Sequence, residues 1–402
     1  MDIKGIRGLK DRLQSLAVFG GVLKDRPMAG LLEYLEEVAA GGGQGVRLYS
    51  QFVSLLYEEN GGNLSLYVRD VCYRNENVFV KAAGRGEKPA LHITEAAGRE
   101  LEILQNVADL TFGELTEPLC YGGYLPRYVT EKTDIAAGYM ERAAQTGRYG
   151  YGKYAVYPMF IIDENAEIIP VKNPDGITLS SLTGYEEERR AVVENTAALL
   201  KGKPAANALL TGDAGTGKST TVKAIENEFY KDGLRLIEMR KSQLYLLPQV
   251  LDELAGNPLK FIIFIDDISF VGDDDCFNAL KAVLEGSVSA RSHNVAVYAT
   301  SNRRHIVKEK FSDREGDDIH LNDTLQESVS LSERFGLQVT FRRPDKKLYL
   351  EIVKSLAKEK GIKVPEKELF EMAERFALSH GGRSPRHARQ FTDALVSETL
   401  RP

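Results

Sequence analysis

One short segment of the sequence has the residue types and spacing of a phosphate-binding loop. The segment consists of Gly212, Asp213, Ala214, Gly215, Thr216, Gly217, Lys218 and Ser219, and Thr220 follows it directly. They match the pattern G-x-x-x-x-G-K-S/T, whose glycines let backbone N–H groups turn inward around a phosphate at the positive end of a helix. We expect all nine residues to bind a nucleotide, with Lys218 at its β- and γ-phosphates and Ser219 on Mg²⁺. The alternative is a glycine-rich turn without a ligand.

Two neighbouring carboxylates, Asp266 and Asp267, follow the apolar run 261–265 (FIIFI). A buried strand of this kind carries Asp266 to the carboxyl edge of a sheet, where it can hold the hydration shell of Mg²⁺. Asp267 would then face the γ-phosphate and polarise the attacking water. A capped turn is the alternative. The position of Asp266, 48 residues after Lys218, favours the metal site.

Two further side chains lie where nucleotide hydrolysis needs polar groups. Asn302 ends the run VAVYATSN, so we expect it at the same sheet edge, bonded to the γ-phosphate or the water. Arg334, in SERFG, ends a predicted helix before the last strand. We interpret it as an arginine finger that enters the site of a neighbouring subunit and stabilises transition-state charge. A strand-end turn for Asn302 and a surface salt bridge for Arg334 are the alternatives.

A third cationic candidate lies near the end of the chain, in GRSPRHAR. Arg386 stands at the start of the final predicted helix, from which it would clamp the phosphates. Arg383 and Arg389 are rivals for the same role.

The elements that position these residues are predicted from apolar periodicity. Helix-length segments separate five short apolar runs, at 208–211, 234–238, 261–265, 295–299 and 337–341. This alternation is typical of an α/β fold with a parallel sheet covered on both faces. Three amphipathic helices follow, at 345–360, 366–379 and 385–400. We therefore predict an α/β core over residues 182–343 and a helical lid over 344–402.

The preceding part of the chain reads as a separate domain. Residues 1–165 are predicted to form a mostly helical α+β domain, with helices at 28–40, stopped by three glycines, and at 94–107, capped by Thr94. Residues 166–181 contain prolines and turn formers, so we predict a linker there.

Composition excludes only extreme classes of protein. The 402 residues are 43% hydrophobic and 27% charged, with a net charge of −6, so no general basic field attracts nucleic acid or membrane. Three cysteines lack metal-binding spacing, which favours a reducing compartment. No signal peptide or apolar span of membrane length is present in the sequence, and we expect a cytoplasmic protein that does not bind membranes.

The order of these motifs, from the phosphate loop through FIIFIDD, ATSN, SERFG and GRSPR to a helical lid, resembles the AAA+ ATPases. In the segment LTGYE, Tyr185 matches the position that packs by the adenine ring. The amino-acid sequence of residues 182–341 is most similar to the bacterial family called domain of unknown function 815. The resemblance implies a five-stranded AAA+ core, ATP with Mg²⁺ as cofactors, and a ring or spiral homo-oligomer, such as a hexamer, with sites shared between subunits.

One departure from the AAA+ pattern affects the expected rate of ATP hydrolysis. Most AAA+ proteins carry Glu where this chain has Asp267, and the shorter side chain holds the attacking water less readily. The Asp-Asp pair is similar to that of replication initiators and helicase loaders, which use ATP as a slow switch. We therefore expect an ATPase with slow turnover.

The sequence indicates the target of such an ATPase less directly than it indicates the nucleotide site. The segment 239–245 lacks the aromatic-apolar-glycine tripeptide of protein-threading rings, and its Arg240 and Lys241 are either phosphate contacts or solvated residues. Eight tyrosines lie in 121–157, where they either stack on bases or pack within the domain and dock a partner. Residues 1–165 hold 18 basic and 22 acidic side chains, which favours a protein client. Nucleic-acid loading and an ATP-binding scaffold are the alternatives.

Overall fold

A computed structural model of the chain describes residues 1–268, 280, 281, 284, 293–302 and 333–399. The chain forms two compact units, Met1–Val156 and Tyr157–Pro402. This division lies before the boundary that we predicted at residue 165, because the strand that begins at Met159 pairs within the second unit.

Helices supply the regular structure of the first unit, together with short 3-10 turns and one isolated bridge between Asn63 and Val129. The α-helices are α1 (Ile3–Gln14), α2 (Arg26–Ala40), α3 (Gly45–Asn60), α4 (Leu64–Arg74), α5 (Val78–Gly84), α6 (Leu91–Ala108), α7 (Phe112–Thr116), α8 (Ile135–Ala144) and α9 (Thr146–Tyr149). Up to Val156, the described residues contain no β-strand, so the mixed α+β character predicted for residues 1–165 is not seen there.

Two predicted helices of this unit can be compared with the structure. The helix predicted at 28–40 is found as α2, which ends where Gly41 adopts the left-handed conformation with φ 74°. The helix predicted at 94–107 is found as α6, but it begins earlier, at Leu91. The prediction that Thr94 caps it is therefore wrong. The Thr94 hydroxyl instead donates to the carbonyl of Ala90, one turn back within the helix.

The second unit is built on a seven-stranded sheet. Its strands are β1 (Met159–Ile162), β2 (Ile168–Pro170), β3 (Ala208–Gly212), β4 (Leu234–Met239), β5 (Lys260–Ile265), β6 (Val295–Ser301) and β7 (Leu337–Phe341), in the order β2-β1-β4-β5-β6-β3-β7. Strands β3 to β7 are parallel to their neighbours, β1 is parallel to β4, and β2 is antiparallel to β1.

The five predicted strands are all present, as β3 to β7. Strands β1 and β2 were not predicted, and β2 lies inside the segment 166–181 that we interpreted as a linker. Both are short and lie between turn formers, so pairing stabilises them rather than their own residues: β1 pairs with β4, and β2 pairs with β1. Along β3 every residue is buried, as expected for a parallel sheet covered on both faces.

Helices connect the strands and complete the unit. They are α10 (Glu186–Leu200), α11 (Lys218–Phe229), α12 (Leu247–Leu254), α13 (Lys346–Glu359), α14 (Glu366–Ser379) and α15 (Pro385–Thr399). The last three form the predicted lid, whose Tyr349 and Phe391 belong to the same buried apolar cluster as Leu210 and Phe341 of the sheet. The predicted α/β class, a mostly parallel sheet followed by a helical lid, is confirmed, although the sheet has seven strands rather than the five predicted. Among the described helices, none is both long and apolar enough to cross a membrane.

Candidate functional site

The loop between β3 and α11 has a conformation that only glycine permits at its first position. Gly212 pairs with Phe341 of β7, and a Cβ atom at position 212 would lie 2.0 Å from the carbonyl oxygen of Phe341. Gly215 and Gly217 have φ angles of 76° and 94°, in the region that side chains other than glycine's rarely adopt. Gly217 is the last residue before α11, so the loop opens at the positive end of that helix.

Lys218 points back into this loop. Its Nζ atom donates to the carbonyl oxygens of Gly212 and Asp213, each at 2.9 Å, and to Oδ1 of Asn302 at 3.0 Å. Burial lowers the pKa of this ammonium group, while the carboxylates of Asp266 and Asp267 act in the opposite direction. The structure thus places a positive charge where the loop would receive phosphate.

Asp266 lies opposite the first turn of α11. Its Oδ1 atom accepts hydrogen bonds from the hydroxyl of Ser219 at 2.6 Å and from that of Thr300 at 2.5 Å. A hydroxyl and a carboxylate are hard oxygen donors, the kind that Mg²⁺ takes from a protein when phosphates supply further ligands. Ser219 and Asp266 therefore fit a Mg²⁺ ion bound together with a nucleotide.

Asp267 is held in an unusual backbone conformation with φ 53°. Its N–H group donates to the Thr300 hydroxyl at 2.9 Å, and its Oδ1 atom accepts from the Asn302 side-chain amide at 2.7 Å. Since Asn302 also accepts from Lys218, its amide links the cation of the loop to the second carboxylate. The two acids and Asn302, predicted separately, thus lie in one hydrogen-bonded network.

Tyr185 stands before α10 and is buried, with φ 59°. Its hydroxyl donates to the carbonyl of Arg342 at 2.7 Å, and its ring centroid lies 5.4 Å from that of Phe341. Burial raises the pKa of this hydroxyl. Tyr185 therefore presents a neutral ring to the site.

The lid touches the loop through the start of α15. The N–H group of Arg386 donates to the carbonyl of Gly215 at 3.2 Å. Arg383 is directed elsewhere, since its guanidinium makes two hydrogen bonds to Glu374, at 2.9 and 2.7 Å. Of the three rival arginines, Arg386 and Arg389 line the cleft described next.

A cleft of about 620 Å³ joins these groups. The predicted residues that line it are Tyr185, Ala214, Gly215, Thr216, Gly217, Lys218, Ser219, Thr220, Asp266, Asp267, Asn302 and Arg386. Gly212, Asp213 and Arg334 are not among the lining residues, although the first two contribute the carbonyls that bind Lys218.

Sequence reasoning missed several lining residues. The sequence could have indicated Thr300, since it precedes Asn302 by two positions along an extended segment and its side chain therefore points to the same side. Nothing in the sequence indicated that the segment with Asp175 and Ile177 would line the cleft. It reaches the cleft because the side-chain amide of Asn227, on α11, donates to the carbonyls of Asp175 and Ile177, at 2.7 and 2.8 Å.

Comparison with known proteins adds a family. A family model described as "Protein of unknown function (DUF815)" matches residues 155–399. No curated protein matches the chain. Among solved structures, the RuvB Holliday junction branch migration motor of Thermotoga maritima aligns at 18% identity with a TM-score of 0.38, over 55% of this chain and 66% of that chain, just under two thirds of its length. A single-residue variant of the same motor aligns over the same shares with a TM-score of 0.39.

Proposed function

The chain belongs to the family described as "Protein of unknown function (DUF815)", and we propose that it binds ATP with Mg²⁺ and hydrolyses it slowly. The observation that carries this proposal is the cleft in which Lys218, Asp266, Asp267 and Asn302 meet beside the phosphate loop. Structural contacts alone do not require a buried ammonium group, two carboxylates and an amide to converge on an open cleft. Phosphoryl transfer to water requires such a set.

The binding step follows from the contacts of Lys218. Its ammonium group now bonds to loop carbonyls and to Asn302, and the oxygens of an entering triphosphate would replace these acceptors. Mg²⁺, when bound, supplies neutralisation of the phosphate charge. Ser219 and Asp266 are the residues that would hold it. The N–H groups of the loop and the start of α11 add donors for the phosphates.

The hydrolytic step depends on Asp267. Its carboxylate lies at the cleft, is held by Asn302 at 2.7 Å, and would accept a hydrogen bond from the attacking water. Arg386 enters the same cleft from the lid and would bind the phosphates as the transition-state charge develops. Since Asp is one methylene shorter than the Glu of most AAA+ proteins, we expect turnover slower than theirs.

The base of the nucleotide would lie beside Tyr185. The cleft continues from the phosphate loop along Ile177, Leu182 and Tyr185 to Ile352 and Leu356 of the lid. Apolar side chains and a neutral ring suit a planar purine, and ATP is the nucleotide that we propose.

We further propose that copies of the chain assemble into a ring or spiral. Arg334 precedes β7 and is not among the residues that line the cleft of its own chain. This placement supports a role for Arg334 as an arginine finger in the site of a neighbouring copy.

A protein client is the partner that we propose. In the tyrosine-rich segment, Tyr128, Tyr139 and Tyr154 are buried, which supports packing within the unit, whereas Tyr121 and Tyr124 are exposed, which supports docking of a partner. The net acidic balance of residues 1–165 points the same way. Among the described cysteines, Cys72 and Cys120 are both free thiols, which supports a reducing compartment such as the cytoplasm.

The decisive test is ATP binding and hydrolysis by the full chain and by Lys218→Ala. We expect the substitution to lower turnover by at least about 100-fold, because the site loses the charge aimed at the phosphates. Lys223→Ala is the matched control, since Lys223 lies on the same helix but pairs with Glu238 at 3.1 Å. Equal turnover of the Lys218→Ala variant and the control would contradict the proposed function.

The same assay addresses the partner. Turnover is measured alone and with single-stranded DNA, double-stranded DNA or RNA. We expect no stimulation by nucleic acid. A rise in turnover with any of the three would replace the protein client by a nucleic-acid target.

A further inference from the structure

Thr300 makes two hydrogen bonds that no assigned role explains. Its hydroxyl donates to Oδ1 of Asp266 at 2.5 Å and accepts from the N–H group of Asp267 at 2.9 Å. One oxygen atom thus joins the carboxylate assigned to Mg²⁺ and the backbone of the carboxylate assigned to water. We propose that Thr300 is a positioning residue that sets both acids for hydrolysis, an inference that rests on the proposed ATPase function.

Thr300 itself is firmly held. It is 2% exposed and lies in β6, paired with Leu210 of the central strand β3. Its carbonyl accepts the N–H group of Ile268 at 2.7 Å. Threonine is also branched at Cβ, which restricts its side-chain rotation. The hydroxyl is therefore a rigid reference point at the end of the sheet.

The backbone of Asp267 adopts a conformation that its contacts must hold. A φ of 53° is unusual for a residue other than glycine and persists when surrounding contacts enforce it. Thr300 of β6 and Asn302, the residue after that strand, provide those contacts: Thr300 holds the N–H group of Asp267, and Asn302 holds its carboxylate. Without the Thr300 hydroxyl, Asp267 would keep, of these two contacts, only that of its carboxylate with Asn302.

The carboxylate of Asp266 is held by Thr300 as well as by Ser219. The same Oδ1 atom accepts the hydroxyls of Ser219 and Thr300. If Ser219 turns its oxygen toward Mg²⁺, as its role in the motif requires, Thr300 keeps a donor on Asp266. A hydrogen bond to the charged form of a carboxylate stabilises that form and fixes its direction. Partners of this kind, behind a metal ligand, alter metal affinity or activity by about 10- to 100-fold when removed.

The test compares Thr300→Val, which has nearly the same shape but no hydroxyl, with Thr300→Ser, which keeps the hydroxyl. We expect Thr300→Val to lower kcat by about tenfold or more when ATP and Mg²⁺ are both saturating. We expect Thr300→Ser to stay within about threefold of the unaltered chain, because it restores both hydrogen bonds. A merely structural role would lower the thermal stability of both variants without this division.

A second readout does not need turnover. Binding of a non-hydrolysable ATP analogue is measured with and without Mg²⁺. We expect Thr300→Val to reduce the gain in affinity that Mg²⁺ gives by about tenfold, and to leave metal-free binding unchanged. Thr340→Val is the matched control, since Thr340 is a threonine of the same sheet whose hydroxyl bonds to that of Thr211 at 3.0 Å.

The outcomes separate the two proposals. If the unaltered chain binds no ATP, the proposed function fails, and this inference fails with it. If the unaltered chain binds and hydrolyses ATP while Thr300→Val matches it in kcat and in Mg²⁺ dependence, the function stands and the role of Thr300 is overturned. Loss of activity in both Thr300→Val and Thr300→Ser would also overturn it, since the hydroxyl would then not be the cause.

Discussion

Some buried polar side chains of the first unit are held by backbone groups, whereas the polar side chains that line the cleft of the second unit also bond to one another. Glu100 of α6 is the clearest case in the first unit. Its carboxylate is 6% exposed and accepts the N–H groups of Ala17, Val18 and Phe19, at 2.9, 3.1 and 2.8 Å. The hydroxyl of the buried Tyr128 likewise donates to the carbonyl of Leu110 at 2.9 Å.

Beside the cleft of the second unit, several of the partners are other side chains. Lys218 bonds to Asn302, Asn302 bonds to Asp267, and Asp266 accepts two hydroxyl groups. These partners face a cleft, so a ligand can replace them without unfolding the chain. The difference teaches that burial of a polar group does not by itself indicate function. What distinguishes the site is that its polar side chains converge on a cleft where a ligand can replace their present partners, whether these are side chains or the loop carbonyls of Lys218.

The largest effect that we predict from this comparison is at Asp267. In Asp267→Asn, the amide replaces a carboxylate that would polarise water, and asparagine tolerates a positive φ, so the fold persists. We expect kcat to fall by about 100- to 1,000-fold, equivalent to about 3–4 kcal/mol in the barrier, with ATP still bound. Steady-state turnover and nucleotide binding measure the two effects.

The control for Asp267→Asn is Asp252→Asn, at an exposed position of α12. We expect this variant to hydrolyse ATP at the rate of the unaltered chain. An Asp267→Asn variant that retained full turnover would show that the exchangeable network is not catalytic.

A smaller effect, on stability rather than on activity, is predicted at Glu100. Glu100→Ala leaves three backbone N–H groups without their acceptor, which we expect to cost about 3 kcal/mol. Amide hydrogen exchange at Ala17, Val18 and Phe19 should accelerate, and urea should unfold the first unit at lower concentration. ATP affinity should not change.

Glu102→Ala, at an exposed position of the same helix, is the control for Glu100→Ala and should leave exchange at these amides unchanged. If Glu100→Ala abolished ATP binding while its amides stayed protected, the contrast between structural and exchangeable contacts would be contradicted.

The smallest predicted effect concerns Glu226, which is neither held by backbone groups, as Glu100 is, nor part of the network at the cleft. This α11 side chain is fully buried, and among the described residues neither of its carboxylate oxygens has a hydrogen-bond partner. Burial raises its pKa to about 8, against a smaller opposing effect of Arg235. The folded chain therefore keeps a proton that the unfolded chain releases near pH 4.5, the ordinary pKa of this group. The free energy of unfolding should fall as pH rises from that value toward about 8.

Urea unfolding at different pH values measures this loss. Between pH 5 and pH 6.5 we expect the free energy of unfolding to fall by about 2 kcal/mol because of Glu226. The Glu226→Gln variant should lack this fall. Glu228→Gln, at an exposed position of the same helix, should retain the pH dependence of the unaltered chain. Equal pH dependence in Glu226→Gln and the unaltered chain would show that Glu226 is ionised in the folded state.

Much of the second unit could be predicted because its signals are local. Each of the strands β3 to β7 is a short apolar run, and the glycine spacing of the phosphate loop has a direct backbone cause, as Gly212 shows against Phe341. Strands β1 and β2 could not be predicted, since Ile168 gains its place only by pairing with Ile162. The helical cap at Thr94 failed for a similar reason, because a helix can begin a turn earlier than its best capping residue.

By itself, the sequence determined the phosphate loop, the acid pair at a strand end, and the alternation of strands and helices that brings them to one sheet edge. These features depend on residues close together in the chain. Only the tertiary structure decided that Arg383 binds Glu374 while Arg386 meets the loop, and that Thr300 joins Asp266 to Asp267. Each of these outcomes depends on contacts between different segments, which side-chain type and spacing along one segment do not specify.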